Sequence, residues 1–416
     1  MSYINNIKDI LEERGVFRGI FIIFFKIIYK IIFKISNKLI CNFTVINQKR
    51  LVFESNKDFS DNARALFDYL IENKYNEKYQ MIWLVSNSSK FNDYNYNNVV
   101  FVNRIGRFHL SYTIRALYYV RTCKIYFFTH SSAWLGIKRE HQKFINLWHG
   151  SGYKAAKGGS ENIIFDYCLV PGEVFIETKK DFFQCPEEKI IPLGYPRYDW
   201  FSCKKKVLEK FYIYMGKNTE TNSKTIIWMP TYRKAKISAL SENTLSSSYD
   251  LPIISSSSDL KELNECCKRY NINIIIKQHT LQKEYSSTIN EYSNLFLLND
   301  NLLDEIGIQL YELLACVDGL ISDYSSVAID FLLVDKPIGF SLDDYHNYKK
   351  DRGFVFENPL EYMPGHHIYS MNDLIQFLND VSQDNDKYKL ERKRIRETTH
   401  NQCDNYSKRI TEYLGL

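Results

Sequence analysis

Four signatures that would fix the chemistry of an α/β enzyme are missing from this 416-residue sequence: GxxxxGK[ST], a strand-GxGxxG-helix unit, HExxH and GxSxG. Their absence argues against a P-loop nucleotide hydrolase, a dinucleotide-dependent dehydrogenase, a zinc protease and a nucleophile-elbow hydrolase. The nine cysteines show no CxxC and no regular spacing, apart from the adjacent Cys266 and Cys267. That pattern fits neither a metal cluster nor a disulfide framework, and it points to a reducing, cytoplasmic compartment. Asp343 and Asp344 are adjacent rather than spaced as D-x-D, which suits a solvated turn better than a metal site. No metal and no cofactor is expected, so Lys, Arg, His and backbone N–H groups would have to meet any phosphate charge.

A general basic excess is missing as well. The net charge is +5, but residues 1–50 alone hold nine Lys/Arg against three Asp/Glu, so the remaining 366 residues are close to neutral at −1. No groove for nucleic acid is indicated. The local excess falls on VFRGIFIIFFKIIYKIIFKISNKLI, residues 16–40, where Lys26, Lys30, Lys34 and Lys38 recur every fourth residue among Ile and Phe. On a helix this makes one lysine stripe on an apolar cylinder. The longest charge-free run here, Gly19 to Phe25, is far short of the roughly 20 residues that a membrane span needs. A signal peptide would not have charges inside its apolar core. The pattern predicts an in-plane amphipathic helix, with the four lysines meeting an anionic membrane surface. The ordinary alternative is a helix buried in the first domain, which five charges in 21 residues make costly.

At 45% hydrophobic and 25% charged residues, the chain has the content and length for two globular domains. Strand-like and helix-like patterns alternate from Lys49 to Leu193, are interrupted near Pro196 and the charged run 204–210, and resume at Thr225. This predicts an α/β fold of the GT-B type, two doubly wound, Rossmann-like halves facing a cleft. The expected organisation is an amphipathic region (1–45), a first domain (46–205), a linker (206–220), a second domain (221–370) and C-terminal helices (371–416). Leu245 to Ser258 is serine-rich and reads as a mobile loop.

In such sheets ligands bind beyond the carboxyl ends of the strands, so the residues there carry the functional reading. Asp318 to Ile338 (DGLISDYSSVAIDFLLVDKPI) reads as a strand, a polar turn at Ser322-Asp323-Tyr324-Ser325-Ser326 and a helix start, where hydroxyls and free N–H groups suit a pyrophosphate. The plain alternative is that Asp323 or Ser325 merely caps the helix. After Phe144–Trp148 come His149 and a loop with Gly150, Ser151, Gly152, Lys154, Lys157, Gly158 and Gly159, a base near neutral pH beside positive charge. Arg233 follows the strand at Thr225–Trp228, and Lys277 and His279 follow the one at Ile272–Ile276.

Taken in order, Trp148-His149-Gly150, Pro230-Thr231-Tyr232-Arg233, Lys277-x-His279, Ser322-Asp323-Tyr324-Ser325-Ser326 with Asp330, Asp335-Lys336-Pro337-Ile338, Asp351-Arg352-Gly353 and Pro364-Gly365 resemble the motifs of the CDP-glycerol glycerophosphotransferase family. The resemblance covers roughly residues 120–370. It implies transfer of glycerol phosphate from CDP-glycerol to a hydroxyl of a lipid-linked or polymeric glycan acceptor in teichoic acid or capsule synthesis, with CMP released, by a peripheral protein at the cytoplasmic face of the membrane. On that reading His149 and His279 are catalytic, with His149 as the base. Gly150, Ser151, Lys154, Arg233, Lys277, Ser325, Ser326 and Arg352 bind substrate, and Asp323 caps its turn. The family's Thr-Pro after WHG is here Ser151-Gly152 and its His-Pro is His279-Thr280; the lost prolines leave both loops less constrained. Rival readings are a CMP-sugar glycosyltransferase, such as one using CMP-sialic acid, a CDP-ribitol enzyme, and an inactive membrane-surface scaffold. The intact His149, Lys277, His279 and Ser325 set speaks against the last.

Overall fold

The computed structural model describes residues 16–105, 112–130, 138–155, 163–202, 206–216, 223–231, 251–277, 289, 291–401 and 404–416. Arg233, His279, Lys157, Gly158 and Gly159 lie outside these, as do the side chains of Lys26 and Lys30. Two compact units form. The first takes in the described residues up to His149 and 163–168; the second takes in 150–155 and the described residues from Leu169 onward.

The first unit begins with α1 (Val16–Phe43), a helix of 28 residues. After it come β1 (Asn47–Glu54), α2 (Asp61–Glu72), β2 (Gln80–Val85), β3 (Val99–Asn103), α3 (Ile114–Thr122), β4 (Cys123–Phe128), β5 (Lys143–Asn146), β6 (Tyr167–Leu169) and β7 (Ile190–Ile191). The sheet order is β3-β2-β1-β4-β5-β6-β7, and the pairs from β3 through β6 are parallel. Strands covered on both faces must be apolar along their whole length rather than alternating. Accordingly Leu51–Phe53, Met81–Val85 and Ile125–Phe127 are fully buried. Phe53 stacks on Phe127 (5.1 Å) and Trp83 (5.6 Å) at the centre of this core.

One side of α1 packs inward. Tyr29 Oη donates to the Tyr112 carbonyl (3.1 Å), Arg121 Nε donates to Asn37 Oδ1 (2.6 Å), and Arg139 binds the Thr44 carbonyl (2.6 Å). Phe24, Ile31, Ile32, Ile35, Leu39 and Phe43 are exposed on another side, within about 120° of arc at 3.6 residues per turn. Lys34 and Lys38 are exposed on the flank of that face. Among the described residues no helix is long and apolar enough to cross a membrane.

The second sheet contains β8 (Lys224–Met229), β9 (Ile272–Lys277), β10 (Leu295–Leu298), β11 (Gly319–Ser322), β12 (Ile338–Ser341) and β13 (His366–Ile368). Its order is β10-β9-β8-β11-β12-β13, again parallel in every pair. Read by rank along the chain, both sheets follow the order 3-2-1-4-5-6, with a seventh strand added at the edge of the first, the doubly wound arrangement that the alternation predicts. Helices α4 (Ser257–Tyr270), α5 (Leu310–Leu314), α6 (Ser326–Phe331), α7 (Met371–Ser382) and α8 (Tyr406–Tyr413) accompany it. Trp228, Ile226, Ile274, Ile276, Ile321 and Phe377 form its core.

One expectation changes with the structure. The end of the serine-rich stretch is packed: Leu251 and Ile254 are buried in the core, and Ser256 with Asp259 closes a capping box on α4. Gly307, at a left-handed φ of 71°, C-caps a helix over Asp300–Ile306, and α5 starts anew at Leu310. The second unit takes in 150–155 and the described residues from Leu169 onward, while 163–168 stay with the first. The reason lies in the partners of 150–155 and 169–201. Lys154 bridges Phe354, the Ala155 N–H donates to the Gly353 carbonyl (3.2 Å), and Asp199 accepts the N–H groups of Tyr406 and Ser407 at the start of α8.

His400 is buried beside Tyr198, and burial pulls its pKa down to about 3. The folded protein therefore binds this proton less readily than the unfolded chain, whose histidine titrates near 6.5. The associated stability is complete above about pH 6.5 and is lost as the pH falls toward 3, to a limit of about 5 kcal/mol. His400→Gln should flatten the acid limb of a plot of melting temperature against pH. An unchanged limb would show that His400 does not set it.

Candidate active site

The carboxyl end of β5 is built around a strained tryptophan. Trp148 has φ 53°, a left-handed conformation that is uncommon for a bulky residue and is tolerated where the surroundings impose it. Here the Asn146 side chain accepts the Trp148 N–H (3.0 Å), and the Asn62 amide, buried on α2, donates to the Leu147 (3.1 Å) and Trp148 (2.8 Å) carbonyls. The strand consequently ends at Asn146, two residues earlier than its apolar run suggests.

This turn presents His149. Its Nδ1 lies 3.1 Å from the Thr129 carbonyl, which can only accept, so the proton is assigned to Nδ1. The imidazole lies between Trp148 (ring centroids 4.0 Å) and His130 (4.4 Å), and His130 Nδ1 is 3.2 Å from the same carbonyl. A base that is fixed in tautomer and orientation is what general-base catalysis requires. Neither His130 nor Asn62 stood out in the sequence, although an asparagine within the apolar pattern of α2 was a usable signal.

In the second unit, the glycine loop packs on the serine turn. Gly150 has φ 141° and leaves no room for a Cβ, since Ser326 Oγ occupies that position. At Gly152 a Cβ would meet Ser326 Cα at 2.6 Å and Ser326 N at 2.9 Å. The position that lacks the family's proline is thus a close backbone approach rather than a slack point. Gly152→Ala should cost about 1–3 kcal/mol as an overpacking substitution and raise the KM for the donor. Unchanged melting and KM would show that the turn can move aside freely.

The other candidate residues have the following surroundings. Ser151 is buried, and its Oγ is 2.9 Å from Tyr195 Oη. Ser325 occupies the N-cap position of α6 but its side chain makes no cap hydrogen bond, and both Ser325 and Ser326 are half-buried. Asp323, fully buried, accepts from the N–H (2.8 Å) and the hydroxyl of Thr231, tying the end of β11 to that of β8. Lys277 is held 2.7 Å from Asp300. Arg352 is exposed, just after a helix over Tyr345–Asp351. Beneath the serine turn Asp330 accepts from Arg197 (2.7 Å) and from the hydroxyls of Tyr198 and Tyr311. Burial pushes the Asp330 carboxyl up, while Arg197 and the two hydroxyls act to lower it. Among the described residues no group of three or more His, Cys, Asp or Glu side chains could hold a metal ion.

Comparison with known proteins adds identity to this geometry. The teichoic acid poly(glycerol phosphate) polymerase of Bacillus spizizenii is 29% identical over 334 residues, which is 75% of this chain and 78% of the relative. A teichoic acid ribitol-phosphate primase of the same organism is 26% identical over 304 residues, 67% and 71% of the two chains. The solved wall teichoic acid polymerase TagF superposes with a TM-score of 0.70 at 21% identity, covering 93% of this chain and 95% of that one, a likeness of fold. The model of the CDP-glycerol:poly(glycerophosphate) glycerophosphotransferases matches residues 36–415, and this chain belongs to that family.

Proposed function

We propose that the protein transfers glycerol phosphate from CDP-glycerol to a hydroxyl of a lipid-linked or polymeric acceptor in teichoic acid or capsule synthesis. The observation that carries this reading is the family match, together with the His149 imidazole held at the end of β5 by the Thr129 carbonyl. A teichoic acid glycerol-phosphate primase of Bacillus subtilis, 23% identical over 342 residues, supports glycerol phosphate as the transferred unit. A crystal form of TagF was soaked with CDPG. His149 takes the acceptor proton while the acceptor oxygen forms a bond to the β-phosphorus of the donor. The bond from that phosphorus to the bridging oxygen breaks, and CMP leaves with the electron pair. Ser325, Ser326, Lys277, Arg233 and His279 hold the pyrophosphate, with Gly150, Ser151, Lys154 and Arg352 around the substrates. Such a reaction depends on positioning and on neutralising charge at the transferred and leaving oxygens. The exposed apolar face of α1, flanked by Lys34 and Lys38, supports attachment to an anionic membrane at its cytoplasmic side, where a lipid-linked acceptor is presented.

A second reading, transfer of ribitol phosphate from CDP-ribitol, is favoured by the ribitol-phosphate primase among the relatives. The donor assignment is tested with His279→Ala and Ser326→Ala. Both should weaken CDP-glycerol binding or transfer while lowering stability no more than a surface change does, about 0.5 kcal/mol. Normal kinetics together with a large fall in melting temperature would leave these residues a purely structural part.

A further inference from the structure

We propose that Arg197 is a positioning residue for the donor turn. Its buried ion pair with Asp330, shared with Tyr198 and Tyr311, holds Ser326 against the Gly150–Gly152 loop in the arrangement that binds the donor pyrophosphate. This rests on the donor reading given above.

Asp330 lies four residues after Ser326 on α6, on the same helical face one turn further on. Its carboxylate is fully buried and takes three donors: Arg197 Nη2 at 2.7 Å, the Tyr198 hydroxyl and the Tyr311 hydroxyl. Arg197 is itself only 4% exposed, comes from a 3-10 turn over Pro196–Phe201, and lies with its guanidinium 4.3 Å from the Tyr311 ring centroid. Its Nη2 is 3.5 Å from the point where a Gly150 Cβ would sit, the same point that Ser326 Oγ abuts. The guanidinium and the serine hydroxyl thus border one glycine position from two sides.

A buried ion pair is weak evidence for stability, because well-packed apolar residues of similar volume commonly do as well. What apolar residues lack is direction. A planar guanidinium and two hydroxyls converging on one carboxylate fix the rotation and height of a short helix whose other buried side chains, Val327, Ala328, Ile329 and Phe331, are apolar. Because Arg197 and Asp330 sit below the turn and not on the substrate, their effect passes through Ser326 and Gly150.

The test separates positioning from mere support. Full-length wild type, Arg197→Met, Arg197→Lys and the double variant Arg197→Met/Asp330→Asn are compared by calorimetric melting and by titration with CDP-glycerol and, in parallel, CDP-ribitol. Arg197→Met alone leaves a buried carboxylate unpaired and should melt well below the wild type. The double variant removes both charges while its asparagine still accepts from the tyrosines, so it should recover most of that loss. It should nevertheless bind the donor nucleotide about tenfold to a hundredfold more weakly, as should Arg197→Lys, which keeps the charge and loses the planar fork. Wild-type affinity in the double variant at recovered melting temperature would overturn the proposal. If the double variant does not fold, wild-type affinity in Arg197→Lys overturns it equally. A wild-type protein that binds CDP-ribitol and not CDP-glycerol would instead overturn the choice of donor, and the same variants would then be judged on CDP-ribitol.

Discussion

His149→Ala should lower turnover by at least about two orders of magnitude while CDP-glycerol affinity stays within about twofold. The size follows from the role. A general base contributes about 10²- to 10⁴-fold, and it acts only once the acceptor oxygen begins to bond to phosphorus. On the proposed assignment donor binding rests on other residues, so the loss should appear in kcat and not in the donor KM. The local structure makes the substitution a clean one. The turn at Trp148 is held through its main chain, by Asn146 and Asn62, and His149 itself is an exposed residue. Stability should therefore change little. Near-normal turnover would remove His149 from the chemistry and leave it as one face of an aromatic stack.

The second large effect concerns the membrane. Each basic residue near an anionic surface contributes about 1 kcal/mol, so on the proposed membrane attachment the stripe Lys26, Lys30, Lys34 and Lys38 should supply about 4 kcal/mol of attraction, which four glutamates would turn into repulsion. The apolar face of α1 remains in either protein, with Phe24, Ile31, Ile35 and Leu39 exposed. The wild type should float with liposomes containing anionic lipid, and less so in high salt, because exposed charges are screened within about 10 Å at 0.1 M. The four-glutamate variant should stay in solution and still release CMP with a soluble acceptor analogue. Equal flotation on neutral and anionic liposomes would refute the lysine stripe. An unfolded variant would mean that this helix is held by the protein more than by lipid.

Much of the fold was legible because parallel strands covered on both faces are mostly apolar. Ile272–Lys277 and Gly319–Ser322 fall within a residue of their expected positions. β13 was missed because His366–Ile368 is three residues long, sits at the sheet edge and carries two histidines. The Ser325–Ser326 turn and His149 were visible as polar interruptions at strand ends. The brace beneath them was not, since Arg197 and Asp330 are 133 positions apart and only folding brings them together. The packing of Gly152 on Ser326 was hidden for the same reason, and sequence alone suggested a looser loop where the structure has a close backbone approach.

The central claim is the donor, and release of CMP tests it most directly. The purified protein is incubated with a glycerol-phosphate-terminated acceptor analogue and, in separate reactions, CDP-glycerol, CDP-ribitol and CMP-sialic acid. The account predicts acceptor-dependent CMP release with CDP-glycerol that is lost in His149→Ala and exceeds the other two by at least about tenfold. Release from CDP-ribitol or CMP-sialic acid with none from CDP-glycerol would contradict it.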